Sequence, residues 1–249
     1  MKRYAPAHAR TTMALRDSQL ARLQAISGLA FGTFLALHLA SAVGALGGPD
    51  GYDGALGLFR VYYQFPIVEI VMVATAAVVH ATCGVLRWRH RRALGRERGH
   101  VGRAPRWLAW HRRSGWFLLA ILVGHVLATR GPSLLLGSEV EASYLGFSLA
   151  TWPWMFYPYY LALFVGGLYH LTQGASAALR QLGLPTPYGL GTNRPRAALG
   201  VFLVAGVLGL VAILGLGGIL EDRDLSRDDD WRALFEEYLP WMVTWDAPG

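Results

Sequence analysis

The sequence predicts an all-α membrane protein with five transmembrane helices. Hydrophobic residues make up 53% of the 249 and charged residues only 16%. The apolar residues gather into long uninterrupted runs, and stretches rich in Gly, Pro, Arg or Asp separate those runs. About 20 residues at 1.5 Å rise each cross a hydrocarbon core of roughly 30 Å. An ordinary soluble domain is excluded. A single cysteine, Cys83, excludes an internal disulfide, a zinc site of several thiolates and a self-contained iron–sulfur cluster. The net charge of +7 reports loop topology in such a chain rather than a nucleic-acid partner.

Taken in order, the expected helices lie near 23–47, 66–86, 108–129, 154–179 and 197–220, forming one domain. Residues 1–22 are basic and polar with no apolar core, so they read as a cytoplasmic segment rather than a cleavable signal, and the first span directs its own insertion. With the N-terminus inside, 18 of the 23 Lys and Arg residues fall on the cytoplasmic side, ten of them in the loop 87–113. That asymmetry sets the orientation. The odd span count then puts the tail 221–249 outside, with nine acidic residues against three arginines and a short helix expected over Asp228–Tyr238. Trp152, Trp154, Tyr157, Tyr159 and Tyr160, at the outer start of the fourth span, read as an interfacial aromatic belt.

Of the eight histidines, His8, His90, His100 and His111 fall in basic segments and are expected to be solvated or against lipid headgroups. The other four, His38, His80, His125 and His170, fall one in each of the first four spans. A titratable side chain at that depth is costly and faces a partner inside the bundle; for one such histidine an interhelical hydrogen bond suffices. The spacing argues for more. Ser27-Gly28 precedes His38 by the interval at which Ser114-Gly115 precedes His125, and a His-x-Thr-x-Gly pattern occurs at His80 to Gly84 and again at His170 to Gly174. Helices one and two are thus repeated as three and four.

Counting at about 1.5 Å per residue from the nearest cytoplasmic arginine puts His38 roughly 24 Å from Arg22 and His125 roughly 18 Å from Arg113, against roughly 10 Å for His80 from Arg87 and 15 Å for His170 from Arg180. Two levels follow, His38 with His125 outside and His80 with His170 inside. Each offers two imidazoles, the axial set of a six-coordinate haem iron. Gly84 and Gly174, one turn beyond their histidines, either admit a flat macrocycle to the backbone or permit close helix packing. Ser27 and Ser114, about three turns before theirs, share the histidine face and are expected to contact the other haem or its propionates. Arg22, Arg87, Arg113 and Arg180 are candidate propionate partners.

Five helices with histidines on the first four, Ile26-Ser27-Gly28 followed by Phe34-Leu35-Ala36-Leu37-His38-Leu39, and the His-x-x-x-Gly elements at His80 and His170 resemble the di-haem cytochrome b membrane anchor of succinate dehydrogenase and fumarate reductase, over about residues 20–220. The resemblance implies two b haems, His38 and His125 on the distal iron and His80 and His170 on the proximal one. It also implies a bacterial inner-membrane location, and flavoprotein and iron–sulfur subunits docked on the basic cytoplasmic segments. Electrons would pass through this chain to a quinone, menaquinone or ubiquinone. Two departures stand out: Leu168 replaces the glutamate that some fumarate reductases place two residues before the fourth histidine, and the acidic tail is long for that family. The tail is expected to lie on the outer membrane surface or to cover the outer end of the bundle. No FAD fingerprint is present, so succinate oxidation is not expected of this chain.

Other readings stay open: a di-haem anchor of a hydrogenase, nitrate reductase or formate dehydrogenase, a transporter that relays protons through its histidines, or Cys83 in a cluster shared between subunits. For the quinone, Glu69 is the one carboxylate within the apolar part of a span, eleven residues before His80 and so on its helix face, with Tyr62, Tyr63 and Gln64 preceding it. Glu69 pairing with Arg60 or snorkelling to the interface is the plain alternative, and an inner quinone site near Ser27 and Arg22 the competing one.

Overall fold

The structure, a computed structural model, describes residues 7–98, 106–186, 195–220 and 222–243. Every regular element among the described residues is helical: α1 (Ala7–Gly44), α2 (Gly48–Tyr63), α3 (Pro66–Val68), α4 (Ala76–Arg98), α5 (Arg106–Leu136), α6 (Ala142–Thr151), α7 (Pro153–Gln181), α8 (Pro195–Leu216), α9 (Asp228–Tyr238) and α10 (Pro240–Val243). A 3-10 turn, Ala45–Gly47, joins α1 to α2, and a π-helical segment, Glu69–Thr75, joins α3 to α4. His8 lies in α1, but its side chain, like His100, Arg103, Arg194 and the tail beyond residue 243, is outside what is described.

Among the described residues three stretches are long and apolar enough to cross a membrane: Asp17–Tyr63, Pro66–Ala93 and Arg106–Leu134. The chain is therefore membrane-embedded by length and composition. α7 is long, at 29 residues, but its hydroxyl-bearing aromatics and amides dilute it. Of α8 the described apolar stretch is Phe202–Leu216. The basic segment expected to precede the first span is helical from Ala7 onward, because Ala, Met, Leu, Gln and Arg all favour helix and no glycine or proline interrupts them until Gly28.

Helix ends follow the local chemistry. Pro66 opens α3 at the first turn, where its missing N–H costs nothing. α7 and α8 both close on a left-handed glycine. Gly183 (φ 73°) and Gly218 (φ 81°) let Leu184 N donate to Leu179 O at 2.9 Å and Ile219 N to Leu214 O at 3.0 Å, the bond pattern that satisfies a helix's last carbonyls.

The chain divides into two compact units. Unit 1 comprises residues 1–39, 59–120 and 166–202; unit 2 comprises residues 40–58, 121–165 and 203–249. In unit 1, α1 and α7 approach through small residues. A β-carbon on Gly32 would lie 3.2 Å from Leu171, and one on Gly167 would lie 3.8 Å from Leu35 and Leu39. The Gly28-x-x-x-Gly32 spacing is the one that allows close backbone approach in membranes.

Unit 2 holds two apolar cores. One joins Ala45, Tyr52 and Leu56 to Ala142, Leu149, Ala212 and Leu216. The other packs α9 and α10 on α6 through Val140, Tyr144, Phe147, Trp152, Trp231, Phe235 and Met242. The expected helix of the acidic tail is present over the same residues, Asp228–Tyr238, and it packs on α6. Trp152 is corrected in consequence: it is 3% exposed, with its ring 4.8 Å from that of Phe235, and belongs to this core rather than to an interfacial belt. Trp154 is 63% exposed. Neither α6 nor α2 was expected. Asp53 of α2 accepts a 2.8 Å hydrogen bond from the backbone N–H of Ala142, capping α6 from 89 residues away.

Candidate functional site: a histidine cluster in unit 1

The inner histidines sit where α1, α4, α5 and α7 meet within unit 1. His80 of α4 donates from Nδ1 to the backbone carbonyl of Gln24 on α1 at 3.0 Å. Gly28, one turn further along α1, leaves room for the ring: a β-carbon there would lie 2.6 Å from His80 Nδ1. The second half repeats the arrangement. His170 of α7 has Nδ1 3.2 Å from Ser114 Oγ on α5, and a β-carbon on Gly115 would lie 3.0 Å from His170 Cε1. Ser114 spends its own proton on the carbonyl of His111 at 2.9 Å, so it accepts from His170 Nδ1–H.

Both Nδ1 atoms therefore carry the proton. Each imidazole is left with the Nε2 lone pair that binds metal, the tautomer that a carbonyl or hydroxyl partner imposes on ligating histidines. The two rings lie 6.1 Å apart between centroids with planes at 86°. His80 and His170 would be the two protein residues to hold a metal-containing group placed between them.

A third imidazole joins them. His111 stacks on His170 at 4.4 Å between centroids and 15° between planes. It was expected to be solvated, yet it is half-buried, and its Nδ1 is buried without a hydrogen-bond partner. The repeat offset of 87 residues that relates Ser27 to Ser114 also relates Gln24 to His111. That signal in the sequence points to it, and the surrounding arginines disguise it.

The glycines one turn beyond the histidines serve these same two side chains. A β-carbon on Gly84 would lie 3.0 Å from Gln24 Nε2, and one on Gly174 would lie 3.2 Å from His111 Cε1. Gln24 and His111 are thus the side chains that lie against Gly84 and Gly174. Ser27 is buried and donates to the carbonyl of Leu23 on its own helix at 2.7 Å, because a span offers a hydroxyl few other acceptors. Only Ser114 of the pair meets a histidine.

Of the expected propionate partners, Arg87 donates to Gln24 Oε1 at 2.6 Å and pairs with Asp17 at 3.4 Å. Arg113 lies over the ring of Trp110 and Arg180 over that of Trp107. Arg22 is exposed. Cys83 is buried as a free thiol.

The outer histidines fall in different units. In unit 1, His38 stacks on Phe34 at 5.5 Å and 17°. Phe34 in turn meets the edge of Tyr63 at 5.1 Å, and Tyr63 is buried. In unit 2, His125 Nδ1 lies 3.1 Å from the hydroxyl of Tyr159, a partner that sequence spacing did not suggest.

Tyr62 is 45% exposed, and Gln64 and Glu69 are half-buried. The same-face relation of Glu69 to His80 does not hold. Backbone N–H of Ala76 bonds back five residues to Val71, and one extra residue in the turn rotates everything before it by about 100°.

Among the described residues no group of three or more His, Cys, Asp or Glu side chains is arranged to hold a metal ion. A metal held by His80 and His170 takes its other ligands from elsewhere. Comparison with family profiles, with curated proteins and with solved structures finds no match to this chain.

Proposed function

We propose that the chain is the di-haem cytochrome b membrane subunit of a succinate:quinone oxidoreductase, anchoring a flavoprotein and an iron–sulfur subunit and conducting electrons between them and a quinone. The observation that carries it is the inner pair: two imidazoles from repeated helices, 6.1 Å apart, each with Nδ1 tied to a protein oxygen. A haem would need two imidazoles from the protein, and His80 and His170 would supply them. When bound, such a group supplies a reversible one-electron carrier at neutral pH.

The chain's own residues then have defined tasks. His80 and His170 bind through Nε2. Gln24 O and Ser114 Oγ fix the tautomer and hold the rings. Arg87, bonded to Gln24 and Asp17, is a candidate partner for a propionate. His38 and His125 form the outer pair on the strength of the sequence repeat, with Tyr159 fixing His125. Five spans, a cytoplasmic N-terminus and an outer tail complete the reading, motivated by the arginine asymmetry.

The test is a reduced-minus-oxidised visible spectrum with haem quantification on the purified chain. Two haems per chain are expected. His80→Ala or His170→Ala should leave one, and so should His38→Ala or His125→Ala, with the complementary spectrum. One haem or none in the unaltered chain refutes the proposal. Copurification with a flavoprotein separates it from the hydrogenase and dehydrogenase anchors, and a colourless protein favours a histidine transporter.

A further inference from the structure

We propose that the inner end of α4 and α5 carries a binding site for an anionic phospholipid, built by Trp88, Trp116, Arg92 and Arg113. The indoles of Trp88 and Trp116 meet edge to face across the two helices, 5.4 Å between centroids and 78° between planes. Both remain open, 40% and 43% exposed, as does Trp110 at 57%. Arg92 lies 5.2 Å above the Trp88 ring and Arg113 4.9 Å above the Trp110 ring.

A guanidinium laid on an indole uses its face and keeps its edge N–H groups, which match a phosphate in paired hydrogen bonds. No carboxylate among the described residues pairs with Arg92 or Arg113. The sequence from 70 to 138 contains one acid, Glu97, against the ten arginines of 87–113 and Arg130. Arginine thus far outnumbers carboxylate along this stretch of sequence.

A lipid rather than a soluble acidic partner is favoured by what adjoins the arginines. On α5, Arg112 and Arg113 are followed at helical spacing by Trp116, Ala120, Val123 and Leu127, all exposed, Val123 at 66% and Leu127 at 65%. Residues at these intervals share one helix face. A headgroup contact therefore runs directly into a surface for acyl chains, and indoles hold their usual place at the boundary between the two.

This inference does not require haem. The full chain is reconstituted in nanodiscs of equal phosphatidylglycerol and phosphatidylcholine with matched acyl chains, then extracted, and the retained lipid is counted by mass spectrometry. Retention of phosphatidylglycerol over phosphatidylcholine should be on the order of tenfold, from two arginines near the surface. R92Q/R113Q should bring the ratio to unity, whereas R92K/R113K, which keeps charge without the planar fork, should fall between. Equal retention in the unaltered chain, or a preference that survives R92Q/R113Q, overturns the proposal. Complete displacement of the lipid by millimolar inorganic phosphate would show a free-anion site instead. Loss of a soluble partner subunit in R92Q/R113Q with no lipid preference at any stage would show a protein-docking face.

Discussion

Gly28 and His80 are so closely opposed that a β-carbon on Gly28 would lie 2.6 Å from His80 Nδ1. Real side chains do not approach that near, so Gly28→Ala must push the imidazole off the Gln24 carbonyl. The expected outcome is loss of the inner haem with retention of the outer one, and destabilisation of about 1–3 kcal/mol from overpacking. Gly115→Ala, whose β-carbon would lie 3.0 Å from His170 Cε1, should do the same more weakly. Haem per chain and resistance to SDS unfolding measure both. A full haem complement in Gly28→Ala would show that His80 is not a ligand in this orientation.

The partners of His170 make a second prediction. Ser114→Ala leaves Nδ1–H without its acceptor, and loss of such a partner typically weakens metal retention by about 10–100-fold. His111→Ala removes the stacked ring that sets the plane of His170, while His111→Phe keeps a flat ring in the same space. The inner haem's midpoint potential and its low-spin EPR signal should shift in His111→Ala and return toward the original in His111→Phe. Identical spectra in all three proteins would leave His111 as packing only.

Much of this was legible in the sequence, and the reasons differ by element. Long apolar runs identify spans because the membrane's thickness dictates their length. The tail helix was legible to the residue because three aspartates open it and Trp231 and Phe235 recur one turn apart. The repeated spacing of His, Ser and Gly was legible because helix periodicity is arithmetic. What surrounds them was not. The π segment at Glu69–Thr75 has no residue signature, and α6 is held by tertiary partners, among them the Asp53 cap. Burial of His111 depends on the absence of a side chain at Gly174, two helices and 63 residues away.

The π segment bears on the quinone. Glu69 starts it and, rotated off the His80 face, no longer points along the inner histidine. Glu69→Gln is expected to slow quinone turnover severalfold while leaving both haems, and succinate oxidation by an artificial acceptor in the assembled complex, unchanged. Tyr63, reached from His38 through Phe34, should share the effect as Tyr63→Phe. Unchanged turnover in both, with loss in an Arg22 variant, would move the quinone to the inner side.

The tail cap yields the last prediction. Trp231 and Phe235 are each 1% exposed, and Trp231 Nε1 donates to Ser143 Oγ at 3.1 Å. Arg227 lies 4.3 Å above the Trp231 ring and reaches Glu141 at 3.4 Å, while Arg223 holds Asp228 through two bonds, of 2.8 and 2.5 Å. Burial of large aromatic rings dominates this set, because the ion pairs are partly exposed and worth about 0–1 kcal/mol each. Phe235→Ala should therefore cost about 3–5 kcal/mol, and Arg223→Gln far less. The loss should be local. Limited proteolysis should cut the tail of Phe235→Ala while the His80–His170 cluster, which lies wholly within unit 1, keeps the haem proposed for it. Simultaneous loss of that haem would show that the cap stabilises the histidine cluster as well as its own aromatic core.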